Sequence, residues 1–116
     1  MKTLLILAIL FSFQFATASI SCVIDGTDDS LTLIKGKDMP AQENEDSRAK
    51  YEVQLQTSEL PFPHTKRDGV TTVSDVFLYF ESNDKSISVN LYLDDGNGSA
   101  TIDGQERDLR DCILIN

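Results

Sequence analysis

From residue 20 onward the chain alternates apolar and polar residues with a period of two, in short runs punctuated by Gly, Asp, Asn and Pro. Successive side chains of a strand point to opposite faces, so each run can bury one face and wet the other. Seven runs fit: 20–25 (ISCVID), 30–35 (SLTLIK), 49–58 (AKYEVQLQTS), 71–82, 85–94, 99–103 and 107–115. No segment carries the apolar stripe of a helix that packs on a core. The cluster Asp25-Gly26-Thr27-Asp28-Asp29 is rich in turn formers and should fold the first two strands into a hairpin. Two connections are long. Residues 36–48 are polar and acidic; Pro40 offers a helix start there, but residues 41–48 have no apolar face. Residues 59–70 are broken by Pro61 and Pro63.

The clearest hairpin is VSDVFLYFESNDKSISVNLYL. A turn centred on Asn83-Asp84 sets Phe80 opposite Ile87, Leu78 opposite Val89 and Val76 opposite Leu91 on the inner face. Phe77, Tyr79 and Tyr92 then lie on the outer face. A slip of one residue would turn every apolar side chain outward, which specifies the phase of the pairing. Short strands without an apolar helix predict an all-β domain, a small antiparallel sandwich or partly open barrel of about seven strands.

The N-terminus reads differently. Lys2 precedes an apolar run over residues 4–15, and Ala16-Thr17-Ala18 supplies small residues at a cleavage position. Such a run, at ~1.5 Å per residue, falls short of a ~30 Å hydrocarbon core. Residues 1–18 are therefore expected to be a cleaved signal peptide, with 19–116 as one exported domain, periplasmic or secreted, and no membrane span. Without Lys2 the chain holds nine basic and nineteen acidic residues, a net charge of −10. That charge disfavours nucleic acid and anionic lipid as partners and favours solubility or attraction to a cationic protein.

Two cysteines, Cys22 and Cys112, stand near opposite ends of the exported chain. In an oxidising compartment a pair in a small domain is expected to form a disulfide, here between the first strand and the last. The alternative is a lipoprotein acylated on Cys22. The preceding Ser19-Ile20-Ser21 lacks the leucine that such a site carries three positions upstream, and Cys112 would be left unpaired.

The stretch LDDGNGSATIDGQE, from Leu93 to Glu106, imitates a calcium loop. A ligand register starting at Asp95 puts Ala100 where the sharp bend favours glycine; placing Gly98 there puts Leu93 first, which cannot ligate. The upstream flank also alternates as a strand. A hairpin tip is the simpler reading, with its turn at Asn97-Gly98, setting Leu93 opposite Ile102, or at Gly96-Asn97, setting Leu91 opposite Ile102. Asp94, Asp95 and Asp103 remain a weak calcium candidate at that tip. Asn97-Gly98-Ser99 is also an N-glycosylation triplet.

Catalytic chemistry finds little footing. His64 is the one histidine, no nucleophile-elbow motif is present, and neighbouring acids are expected by chance among nineteen. No enzyme activity, metal centre or cofactor is expected. Candidate contact residues lie in two places. In LPFPHTKRDG, Phe62 sits between prolines that stiffen the backbone, with His64, Lys66 and Arg67 close behind. The simpler expectation for Phe62 is that it folds back over an open end of the sheet. The second place is the outer face bearing Phe77, Tyr79 and Tyr92.

In size, export signal and cysteine placement the chain resembles small exported bacterial β-barrels that inhibit lysozyme, although no loop motif carries over. For so acidic a domain, a cationic protein such as a lysozyme is one concrete form of the expected partner. A monomeric exported binding domain is thus the expected function; a structural envelope domain comes second and a hydrolase third. The disulfide predicts that non-reduced mature protein weighs two hydrogens less than its reduced form and has no free thiol; a diacylglyceryl adduct on Cys22 would refute it.

Overall fold

The computed structural model describes residues 19–115; the expected signal peptide over 1–18 lies outside the described residues. Eight strands follow one another: β1 Ser19–Ile24, β2 Ser30–Met39, β3 Ser47–Gln56, β4 Thr65–Ser74, β5 Phe77–Ser82, β6 Ile87–Tyr92, β7 Asn97–Ile102 and β8 Gln105–Ile115. Each pairs antiparallel with the next, and β8 returns to β1, so the sheet is a closed barrel. The all-β expectation holds, with one strand more than the pattern suggested and with full closure in place of an open edge.

The alternation decides which side chains fill the barrel. Ile20, Cys22 and Ile24 of β1, Leu31 and Leu33 of β2, and Tyr51, Val53 and Leu55 of β3 all point inward and are buried. Leu78 and Phe80 of β5 and Ile87, Val89 and Leu91 of β6 complete most of the core. Burying a side chain such as Phe80 contributes about 1.5–3 kcal/mol. Small residues make room for large ones. A methyl group on Gly69 would lie 2.7 Å from the Phe80 ring and 2.2 Å from the Glu81 carbonyl oxygen. Gly98, in register with Leu91 and Leu109, would likewise press its methyl to 1.9 Å from the Asn90 carbonyl oxygen.

The seam between β1 and β8 is closed covalently by the Cys22–Cys112 disulfide, with Cα atoms 4.0 Å apart. The pairing shifts there: Ser21 faces Ile113, but Val23 faces Arg110. Two residues of β8, Asp111 and Cys112, therefore stand against Cys22 alone. Asp111, at φ 54°, absorbs the extra residue as a bulge. In an unbulged strand Cys112 would be out of phase with the buried Leu109 and would face away from Cys22. The bulge turns it inward. The disulfide leaves Cys22 without the free thiol that the lipoprotein alternative requires.

Several boundaries differ from expectation. The run 71–82 is two strands, because Asp75, at φ 57°, and Val76 form a turn between β4 and β5. Val76 is consequently exposed, and its carbonyl accepts a hydrogen bond from the Leu93 amide. The connection placed at 59–70 ends sooner, since β4 begins at Thr65 and pairs with β3. The gap at 36–48 shrinks for a similar reason: β2 runs to Met39 and β3 starts at Ser47. Glu45 takes both Arg48 Nε (3.0 Å) and the Gln42 amide (2.8 Å) on Oε1, which holds the remaining loop.

The two hairpin registers also shift, each by an even number. Leu78 faces Leu91 and Phe80 faces Val89, because four residues, 83–86, form the β5–β6 turn. Likewise Leu91 faces Gly98 and Ile87 faces Ile102, so the β6–β7 turn is 93–96 and neither expected turn at Asn97 occurs. Gly96, at φ 71°, takes the left-handed position there. The tight two-residue turn is Asp103-Gly104, with φ 49° and 85°, the positive pair that a type I′ turn needs. Asp95 to Glu106 is thus a strand between two turns, and not one hairpin tip.

These glycines should separate two costs. Gly104 has open space around its Cβ position and only its positive φ to lose, so Gly104→Ala should destabilise by about 1 kcal/mol. At Gly69 and Gly98 the cost is steric, about 2–3 kcal/mol each, as for an overpacked core. Asn97→Ala, outside any left-handed position, should change little. Urea unfolding of the four variants measures the order, and an Asn97→Ala loss as large as that of Gly98→Ala would contradict the register.

Candidate functional site

The outer face of β5 to β8 carries side chains that the barrel does not use. Cross-strand pairing sets them in rows. Phe77, Tyr92 and Asn97 form one row, and Tyr79, Asn90, Ser99 and Asp108 the next. Glu81, Ser88, Thr101 and Glu106 form a third. The Phe77 and Tyr92 rings meet at 5.5 Å between centroids, tilted by 58°. Tyr92 stays 51% exposed despite that contact. Between the aromatic pair and the acids of β8 lies an open groove of about 560 Å³, with Asn90 and Ser99 on its floor and Glu106 and Asp108 on its far wall. At ~4.8 Å per strand the groove is roughly 10 Å across, and Asp108 lies one row and Glu106 two rows further along the strands than the aromatic pair.

The electrostatics of the groove are one-sided. Among the described residues the ion pairs are Lys35–Asp38, Arg48–Glu45, Arg67–Asp84, and Arg110 with Asp25 and Asp111. Glu106 and Asp108 belong to none. Tyr79 donates to Glu81 Oε2 at 3.1 Å, and desolvation followed by that carboxylate raises its pKa. A groove that holds both aromatic rings and unpaired carboxylates suits a guanidinium or ammonium group, which gains from the ring quadrupole and from charge.

The remaining candidates lie at the other end of the barrel. Phe62, in the β3–β4 loop, is 58% exposed and does not fold back over the sheet. The loop is held instead by its backbone, with the His64 amide on the Leu55 carbonyl at 2.9 Å and Gln56 Nε2 on the Leu60 carbonyl at 3.0 Å. Lys66 and Arg67 belong to β4, opposite Gln54 and Val53. Arg67 reaches Asp84 at 3.5 Å, so it is engaged within the chain. His64 shares a hydrogen bond with Thr65 Oγ1 at 2.8 Å and borders a cavity of about 220 Å³ in the barrel mouth. That cavity has Ile24, Leu55 and Ile102 as its apolar lining and Asp29 and Arg107 on its rim.

The calcium candidate comes apart. Asp94 and Asp95 sit in the β6–β7 turn, where Asp95 Oδ1 accepts from the Asn97 amide at 3.2 Å. Asp103 sits in the next turn, at the far end of β7. A strand separates them, so the three carboxylates cannot converge on one ion. Glu106 and Asp108 were missed as groove residues because their side depends on the β7–β8 register, which Asp103-Gly104 sets. That Asp-Gly pair was the signal that would have found them.

These features define a disulfide-closed, eight-stranded antiparallel barrel with an aromatic and acidic groove on its outer surface. Comparison with protein-family profiles, curated proteins and solved structures gives no match for the chain.

The β5–β6 turn next to this face should respond to acid. Asp84 accepts hydrogen bonds from the Ser86 hydroxyl and amide and from the Ser82 hydroxyl, with Arg67 nearby, which lowers its pKa to about 2 from 3.8. A carboxyl depressed in the folded state stabilises fully above its unfolded pKa and loses that contribution as pH falls through the folded value. The stability difference between the native protein and Asp84→Asn should therefore be constant above about pH 4 and shrink toward pH 2. Carboxyl NMR titration should place the midpoint near 2; a midpoint at the ordinary value would show that the serine contacts do not persist in solution.

Proposed function

We propose that this protein is an exported, non-catalytic binding domain, periplasmic or secreted, whose outer groove receives a cationic protein. The observation that carries the reading is a single outer groove lined by the aromatic pair Phe77 and Tyr92 and by Glu106 and Asp108, which have no ion-pair partner among the described residues. The net charge of −10 without Lys2 supports it by drawing basic partners toward the surface. The disulfide is compatible with an oxidising compartment. Rigid strands hold the groove residues in register, so binding costs little ordering of the site.

Lysozyme is a suitable basic probe. Binding to the immobilised protein should be strong at low salt and weaken at about 0.5 M, where the Debye length falls to roughly 4 Å. Tyr92→Ala and the pair Glu106→Gln with Asp108→Asn should each weaken it by about tenfold or more, while Phe62→Ala leaves it unchanged. Failure of lysozyme and other basic proteins to bind at any salt concentration would refute the reading. Loss on Phe62→Ala alone would move the contact to the β3–β4 loop.

A further inference from the structure

The two ends of the barrel are not alike. At the end holding the termini, Leu93, Leu114 and the disulfide leave a cavity of only about 40 Å³. At the other end the cavity reaches about 220 Å³. Its depths are apolar: Ile24 and Leu55 are buried, and Ile102 packs against the core. Its rim carries charge of both signs, and the positive charge is placed unusually. Arg107 lies in register with the buried Ala100, so it occupies an inward-facing position at the mouth of the barrel, where it stays exposed to solvent. Among the described residues its guanidinium makes one hydrogen bond, to Gln105 Oε1 at 3.3 Å. Asp29 lines the same cavity, yet Arg107 and Asp29 form no ion pair. Opposite charges around one cavity are thus held apart, with an apolar hollow beneath them.

We propose that the barrel mouth is a binding site for a small zwitterion with an aliphatic tail, of the class of a free aliphatic amino acid. Arg107 takes the carboxylate and Asp29 the ammonium group. The branched side chain lies on Ile24, Leu55 and Ile102. Size agrees with this class. At about 220 Å³ the cavity is below the ~300–1,000 Å³ of sites for drug-sized ligands. The mouth of a barrel is also a common place for such a site, because the surrounding strands hold it open at no further cost. This site lies at the opposite end of the barrel from the aromatic pair, and Arg107 takes an inward position on β8 while its neighbours Glu106 and Asp108 take the outward positions of the groove.

The test uses the disulfide-bonded protein and three ligands followed by amide NMR shifts: leucine, isocaproate, which lacks the ammonium group, and isopentylamine, which lacks the carboxylate. Leucine should bind with a dissociation constant of about 1 mM or lower and shift Ile24, Leu55 and Ile102. Each single-charge analogue should bind about tenfold more weakly. Arg107→Gln should weaken leucine and isocaproate but not isopentylamine; Asp29→Asn should weaken leucine and isopentylamine but not isocaproate. The proposal is overturned if about 20 mM leucine, well above that constant, causes no shifts at the mouth. It is equally overturned if isocaproate binds as well as leucine, or if Asp29→Asn leaves leucine binding unchanged.

Discussion

Everything in this molecule depends on the closing of one seam. Seven of the eight strand pairings join neighbours in sequence, through turns that form locally. The eighth brings β1 to β8, whose cysteines are separated by 90 positions. Closing a chain segment of that length costs conformational entropy before any contact compensates, and the disulfide removes that freedom from the unfolded state. The chain-entropy model gives about 4.5 kcal/mol for such a loop, comparable with the net stability of a small domain. The bulge at Asp111 is what lets this happen, because it brings Cys112 into phase with Cys22. Beyond it, Ile113 and Leu114 stay exposed at the end of the seam.

Closure has a second consequence. A barrel has no edge strands, so partners cannot add to the sheet by backbone pairing, and recognition must use side chains on the outer surface or the two ends. The outer surface differs between regions. Lys66 and Arg67 stand at the extended end of the β3–β4 hairpin, where Arg67 already pairs with Asp84. The face of β5 to β8 instead combines two touching aromatic rings with carboxylates that nothing in the described structure neutralises. The ends differ as well, one plugged by Leu93 beside the disulfide and the other opening onto Arg107.

Much of this is legible in the period-two pattern. It marks Phe80, Val89 and Leu91 as inward and Phe77, Tyr79 and Tyr92 as outward, and the structure keeps every one of those assignments. The pairing of Cys22 with Cys112 follows from their being the two cysteines of the chain. Their geometry does not, because a bulge is one residue of positive φ that no alternation announces. Phe62 departs from expectation for a related reason: two prolines show that a loop is stiff, but not which way it points.

The sequence by itself determined the all-β class, the inside and outside of most strands, and the residues able to staple the ends. Tertiary structure decided the registers, the strand count and the closing of the sheet. The physical reason is that a code of period two specifies a face and nothing more. Sliding one strand against its neighbour by two or four residues leaves every apolar side chain inward, so Leu78 can face Val89 or Leu91 with the same pattern. The choice falls to groups that the pattern does not weigh: Asp84 bonding Ser82 and Ser86 across a four-residue turn, Asp103-Gly104 at positive φ, and glycines placed where Phe80 and Leu91 need their volume. Those groups bring Glu106 and Asp108 onto the same outer face as Phe77 and Tyr92, and so the groove exists only in the folded barrel.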